Sequence, residues 1–532
     1  MEEFDYVIVG AGSAGCALAE RLSASGRRSV LVLEAGGAGR SPWVRVPLGY
    51  GRLFHHRGMN WRFRADPEAG LGGRDLYWPR GRLLGGSSAI NAMVYCRGLP
   101  EDYEDWAAAG NPGWGARETA AAFDRLERRV GADGRATGDG PLWVTDCSAD
   151  HHPVARRYLD AARDAQLPFG DTVTGEGAGP YHVTTRRGRR CSAADAFLAP
   201  ARRRGNVVVR TGAEALGLVF EGRRAVAVRY RLGREERLVR CRAEILLAAG
   251  AVKTPQLLQL SGIGPGALLS AMGLPVLVDN PAVGGGLQDH LGIDYAFRAT
   301  EPTLNQALGR RTGQIAAALR YLFTRRGPLS LSVNQMGGLL RGRPGAPRAG
   351  VQIYFNPLSY TTVVRNRRRL LRPDPWPGFI LGFNPCRPTS RGRIDIASPD
   401  PAEPPRIRPN YLSTEEDVAQ IVEGARLVER LLATPTLRGL VAGAQGFTPE
   451  GATDAEIVED FRARASTVFH PCGTCRMAPL EAGGVVDPAL RVRGVDGLRV
   501  ADASIFPNIT SANTNAPAIM TGARAAEIIL AG

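Results

Sequence analysis

The sequence predicts an α/β fold that opens on a Rossmann-like unit, and three stretches carry that reading. Residues 6–9 (YVIV) form a short, β-branched apolar run suited to a buried parallel strand. Gly10-Ala11-Gly12-Ser13-Ala14-Gly15 follows at once and leads into a helical pattern over residues 16–22, expected to end near Gly26. Residues 30–33 (VLVL) give a second apolar strand, which stops at Glu34.

Each element has a chemical reason. One glycine allows the tight turn, the next lets backbone approach a pyrophosphate, and the third lets helix and strand pack closely. The helix N-terminus then faces phosphate charge. Glu34 stands where a carboxylate accepts hydrogen bonds from a ribose diol. The glycine pattern alone does not separate NAD from FAD.

The bulk numbers bound the rest. A chain of 532 residues exceeds one hydrophobic core, so two to four domain-sized units are expected. No run of 18 apolar residues occurs, so no membrane span is expected. The start, Met-Glu-Glu-Phe-Asp, lacks the basic and apolar regions of a secretory signal, which predicts a cytoplasmic location. The net charge is +15, with Lys253 the only lysine and short arginine clusters at 186–190, 202–204 and 365–369. This is read as a solvated basic surface, with no nucleic-acid partner, because nucleic-acid binders concentrate their charge in a stripe. Of eight cysteines only Cys472 and Cys475 lie close together.

A second glycine-rich stretch, GRLLGGSSAINAMV over residues 81–94, removes side-chain bulk where a flat group could meet backbone. A third, GAVKTPQLLQLSGIGP over 250–265, follows an apolar strand at 245–249. These two stretches resemble the signatures of the glucose–methanol–choline (GMC) oxidoreductase family. PEDYEDWAAAGNPGW, LQDHL, RPTSRGRIDIASPDP, HPCGTCRM, GLRVADASIFP and NTNAPAIM extend the likeness over nearly the whole chain, weakest from about 299 to 384.

The resemblance implies a Rossmann-like FAD-binding domain interleaved with a smaller α+β substrate-binding domain built on a β-sheet. Its segments are 1–298, a variable substrate segment 299–384, and 385–526, which carries the catalytic histidine and closes the FAD site. Gly10, Gly12, Gly15 and Glu34 carry over to the ADP half, with Ser13, Ala14, Ala35 and Ala249 beside them. Leu84, Gly85, Ser88, Asn91, Ala92, Met93 and Val94 carry over to the flavin side. Asp502, with Ala503, matches the acid near the ribityl chain and pyrophosphate, and Asn515 a polar contact near the isoalloxazine ring. Ala215 stands where valine is common beside the adenine, and Gly286 where asparagine often precedes LQDH; both departures should have small effects. Ile90 stands where some members attach FAD through a histidine, so FAD is expected to bind non-covalently.

Alcohol oxidation needs a base for the hydroxyl proton and an acceptor for the hydride. Histidine, with an ordinary pKa of about 6.5, suits the first role. The resemblance assigns His470 as that base and Asn513 as the hydrogen-bond partner of the substrate oxygen. Of the remaining histidines, His290 is read as structural, His151 and His152 as surface, and His55, His56 and His182 lack a supporting motif. The Cys472-Gly-Thr-Cys475 pair could be redox-active or half a zinc site. No second C-x-x-C or H-x₃₋₅-H exists to complete a zinc shell, and the pair lies far from an early βαβ unit. It is read as a bystander, and no metal is expected.

Residues 102–109 and 118–130 are expected to be helices, 207–210 and 225–230 strands, and 365–377 an exposed loop. Residues 352–360 and 379–386 should supply part of the substrate pocket; Tyr354, Phe355, Phe379 and Phe383 there are mostly core aromatics. The functional expectation is FAD-dependent oxidation of a primary alcohol, aliphatic or aromatic, to an aldehyde by proton abstraction and hydride transfer. The first signature and NPGW most resemble the bacterial alcohol and choline dehydrogenase branch, which favours a dehydrogenase over an oxidase; the electron acceptor is a quinone-like carrier or oxygen. Choline itself fits poorly with a strongly positive protein. The family also includes lyases and a light-driven fatty-acid decarboxylase, and a flavoprotein without turnover is a further alternative.

Overall fold

The computed structural model describes residues 2–365 and 368–531. Among them are two seven-stranded sheets. The first runs in the order Val207–Thr211, Val30–Glu34, Glu2–Val9, Glu235–Leu247, Arg224–Leu232 and Ala213–Glu221, with Leu498–Val500 also paired to Glu235–Leu247. Glu2–Val9 pairs in parallel with both neighbours, as does Val30–Glu34, and all five residues of the latter are buried. That is the environment a continuous apolar run requires.

The helix Ser13–Leu22 packs on this sheet and starts at Gly12. The last helix, Asn515–Ala531, lies against it so closely that a Cβ at Gly522 would sit 2.2 Å from the carbonyl of Ala14. The chain therefore returns to its own beginning, and both ends build one layer.

The second sheet is antiparallel, in the order Val441–Ala444, Leu291–Ala299, Gly378–Pro385, Val351–Asn356, Met336–Leu340 and Gly177–Pro180, with Ser466–Thr467 also on Leu291–Ala299. Ile293, Tyr295 and Phe297 alternate into a core shared with Ile421, Ala425 and Val428 of the helix Glu415–Leu432. The helix approaches closely enough that a Cβ at Gly424 would meet the Phe383 ring at 2.2 Å. Both sheets draw strands from distant parts of the sequence, so the two layers are interleaved along the chain.

Three local expectations need correction. The helix expected over 118–130 is Ala116–Leu126 followed by a strand, Glu127–Val130. Glu127 is pulled out of the helix by tertiary bonds, accepting from the Tyr95 hydroxyl at 2.6 Å and from Arg97 Nε at 2.7 Å. The loop expected over 365–377 is largely a hairpin, Tyr360–Arg365 with Arg368–Pro373; residues 366 and 367 lie outside the described residues. The Thr-Thr-Val-Val run at 361–364 has the β-propensity that arginine and proline content obscured. His151 and His152 are half-buried rather than at the surface, and the His152 N–H donates to Gln335 Oε1 at 2.8 Å.

Candidate active site

A cavity of about 680 Å³ opens between the sheets, lined by Gly10 and Glu34 from the first and by His470 and Asn513 beside the second. Three helix N-termini meet its wall: Ser13, Gly250 and Asn515 each begin a helix and each line it. Their aligned dipoles favour negative charge there. Ser13 Oγ donates to Asn515 Oδ1 at 2.7 Å, joining two of them. Asp502 holds the third, accepting from the Gly250 N–H at 2.8 Å and from Thr254 Oγ1 at 2.7 Å.

The glycines keep this wall thin. Gly10 has φ +105°, and a Cβ there would meet the Ala248 carbonyl oxygen at 2.4 Å. Gly86 has φ +53° and would press a Cβ to 2.8 Å from the Gly12 Cα. The second glycine motif is thus packed directly on the first, and Ala11 O accepts from the Gly85 N–H at 2.8 Å.

Glu34 is buried with both oxygens aimed at backbone, Oε2 accepting from Ala11 N–H at 3.0 Å and Oε1 from Gly36 N–H at 2.8 Å. Burial pushes its carboxyl up to about 7, with the two N–H groups and Arg82 opposing. Each oxygen keeps a second lone pair for a hydroxyl.

Ser13, Ala14, Ala35, Asn91, Ala92, Met93, Val94, Ala215, Ala249, Ala503 and Asn515 also line the cavity. Gly15, Leu84, Gly85 and Ser88 lie one layer behind. Gly15 faces the Gly10 carbonyl, Leu84 packs against the first core, and the Ser88 hydroxyl donates to Gly85 O at 2.6 Å. Segment 91–94 is clamped by Arg190, which is 3% exposed and donates to Asn91 Oδ1 and Asn91 O, each at 2.7 Å. Burial lowers the Arg190 guanidinium to about 10.

A directed chain of hydrogen bonds ends at His470. The carbonyl of Cys386 can only accept, so His290 Nε2, 2.7 Å away, carries the proton. Neutral His290 then offers a lone pair at Nδ1. His470 Nδ1, 2.9 Å from it, must be the donor. That leaves the His470 lone pair on Nε2, 3.1 Å from Asn513 Nδ2, which donates. Gln352 Nε2 donates in turn to Asn513 Oδ1 at 3.2 Å, fixing the amide's orientation. The tautomer of His470 is therefore set by a backbone carbonyl two residues away in the chain of contacts.

Electrostatics agree. Burial, then His290, then Arg80 hold the His470 imidazole well below its ordinary value, so it is neutral. Burial likewise lowers His290 to about 4. Asp289 anchors the backbone, accepting from His470 N–H at 2.6 Å and from the Tyr411 and Thr467 hydroxyls, each at 2.5 Å. Phe469 and Ala512, the residues just before His470 and Asn513, have φ +71° and +64°, and Met93 has φ +65°. A non-glycine residue in the left-handed region is strained and persists where the surrounding structure over-determines the geometry.

Sequence reasoning did not find Arg80, Arg190 or Asp289 as site residues and read His290 as structural; Gln352 fell within the segment expected to supply part of the pocket, without a role of its own. Trp61 and Lys253 were also missed. Trp61 meets two cations, Arg82 4.4 Å and Lys253 4.9 Å from its ring. Of the four pocket aromatics, Tyr354 and Phe383 line the cavity, while Phe355 and Phe379 are fully buried in the second core.

Cys472 and Cys475 are both fully buried in the first core. Burial pushes both thiols up, so neither offers a thiolate. The double variant Cys472→Ser/Cys475→Ser is expected to keep its turnover per bound flavin and to melt at a lower temperature, because two hydroxyls enter an apolar core. Stopped-flow rates alongside a thermal melt check this.

A dinucleotide cradle that meets a neutral, oriented imidazole defines the class as a dinucleotide-dependent oxidoreductase. Comparison with known proteins gives the family. Residues 4–292 match the N-terminal GMC oxidoreductase family model and residues 388–522 the C-terminal one. The chain is 40% identical to an alcohol dehydrogenase [acceptor] of Pseudomonas putida, covering 99% of this chain and 96% of the relative. It is 38% identical to an oxygen-dependent choline dehydrogenase of Photobacterium profundum, covering 99% and 93%. The crystal structure of pyridoxine 4-oxidase from Mesorbium loti superposes with a TM-score of 0.86 at 31% identity over 98% of both chains. The chain belongs to the GMC oxidoreductase family and is an FAD-dependent enzyme acting on CH–OH groups.

Proposed function

We propose that this enzyme oxidises a primary alcohol to an aldehyde, with His470 as the base and Asn513 as the partner of the substrate oxygen. The observation that carries this is the His470 Nε2 lone pair beside Asn513 Nδ2 on the cavity wall. A carbinol entering between them donates its O–H to Nε2 and accepts from Nδ2. Asn513 then stabilises the developing alkoxide while His470 takes the proton. Burial and the Arg80 charge near the imidazolium that forms keep it from being over-stabilised, so the proton can leave again.

The residues present fit FAD. The helix N-termini at Ser13 and Gly250 would hold the pyrophosphate, Glu34 the ribose, and segment 91–94 with the helix N-terminus at Asn515 the flavin end. When bound, FAD supplies the acceptor for the hydride of the carbinol carbon. Phe54, Val333, Tyr360, Leu371, Val468 and Phe469 make the wall around the substrate largely apolar, which suits an aliphatic or aromatic alcohol. We assign the acceptor of the electrons as a quinone-like carrier in preference to oxygen.

The test is an anaerobic screen of alcohols for loss of flavin absorbance, with reoxidation by oxygen or by a quinone. Bleaching by no alcohol would refute the reading. The FAD is assigned as dissociable, because the Ile90 side chain at the cavity wall has no nucleophile. Acid precipitation should leave the yellow colour in the supernatant; colour retained in the pellet would show a covalent bond.

A further inference from the structure

We infer that the helix Arg311–Thr324 is a docking element for an anionic membrane surface. The helix touches the body of the protein through a narrow face, where Ala317 and Tyr321 are buried. Its outer face carries Ile315, Leu319, Leu322 and Phe323, which are 60%, 50%, 58% and 80% exposed. Their i, i+4, i+7, i+8 spacing puts them on one stripe. Of ten large apolar side chains exposed among the described residues, four are on these fourteen residues. Single exposed apolar residues need no explanation, but a contiguous stripe does.

Charge says what covers it. Residues 302–373 contain thirteen arginines and no aspartate, glutamate or lysine. Thirteen of the fifteen net positive charges therefore fall in this one segment. Arg341, Arg343 and Arg348 pair with Glu176, Glu423 and Asp105 elsewhere in the chain. Arg310, Arg311 and Arg326, at and beside the helix, are exposed, as is Arg320, which lies 4.0 Å from Asp150. An apolar stripe rimmed by arginine, on a helix far too short to cross a bilayer, is the pattern of a helix lying in the headgroup layer of anionic lipid. A second copy of the chain seated on the same patch would bring arginine against arginine with no acid in the segment to relieve it.

The helix is also one packed layer from the cavity. Ala317 clusters with Val333 and Leu358, backed by Tyr50 and Tyr360, and Tyr50, Val333 and Tyr360 line the cavity. Docking would set that wall of the active site against the lipid, where an apolar alcohol or a lipid-soluble acceptor is concentrated. This consequence rests on the proposed alcohol oxidation; the docking does not.

The test is co-sedimentation of the FAD-loaded full chain with vesicles of phosphatidylcholine alone or mixed with phosphatidylglycerol. Binding is expected to the mixed vesicles, weakened by added salt. Leu322→Ser/Phe323→Ser should lower the partition coefficient at least about tenfold, since two large side chains no longer enter the lipid. Arg310→Glu/Arg311→Glu should remove the preference for phosphatidylglycerol. Both variants should oxidise a water-soluble alcohol in vesicle-free buffer at the parent rate, which separates a failure of docking from a failure of the active site. No binding by the parent chain would overturn the proposal. So would binding that survives Leu322→Ser/Phe323→Ser, or a dimer in light scattering that only this variant dissociates.

Discussion

Replacing His470 by alanine is expected to lower the rate of flavin reduction at least about 10²-fold while FAD stays bound. The imidazole contacts His290, Asn513 and the backbone anchored by Asp289, and none of these holds the cofactor cradle. Cofactor uptake and turnover should therefore separate. The rate is read by anaerobic mixing with an alcohol, and FAD content by the absorbance of the purified variant. Nearly intact turnover with FAD in place would remove His470 as the base.

The parent enzyme's pH profile follows from the same burial. The lone pair on Nε2 is available only when His470 is neutral. Burial, His290 and Arg80 keep the folded-state pKa well below 6.5, so the acid limb of kcat/KM should lie below pH 6.5. Stability has a matching sign. The unfolded chain takes up a proton at His470 near pH 6.5 while the folded chain does not, so this group's contribution is present above about 6.5 and falls as pH drops below it.

How much of this was legible in the sequence depends on the range of the forces involved. The strand, glycine turn and helix at residues 2–22 are specified by neighbours, and the structure has them within a few residues of their expected bounds. The same holds for Val30–Glu34 and for Arg224–Leu232. Glu127 shows the limit: its helical pattern is local, but Tyr95 and Arg97 lie about thirty residues back and decide its conformation. The site divides in the same way. His470 and Asn513 stand in recognisable motifs. Arg190, Arg80 and Gln352 act across the fold, and no local spacing marks them. The charge of the segment 302–373 was written in the sequence all along, but a count over the whole chain averaged it away.

His290 gives the second large effect, and it tests the hydrogen-bond chain itself. Phenylalanine at 290 leaves the His470 Nδ1–H with no acceptor and the Cys386 carbonyl with no donor. The imidazole can then move its proton to Nε2, which aims an N–H at Asn513 and at the substrate hydroxyl. Flavin reduction should slow by about 10²-fold, the scale expected when an oriented base loses its function. Glutamine at 290 can accept from Nδ1–H through its oxygen and donate to Cys386 O through its nitrogen, so His290→Gln should recover most of the loss. The distinguishing readout is pH. Were His290 merely adjusting the pKa of His470, alkaline buffer would restore the phenylalanine variant. A wrong tautomer is neutral at every pH above its pKa, so the deficit should persist across the alkaline plateau. Recovery at high pH, or equal impairment of the phenylalanine and glutamine variants, would mean that the contact between the two imidazoles does not set which nitrogen of His470 faces the substrate.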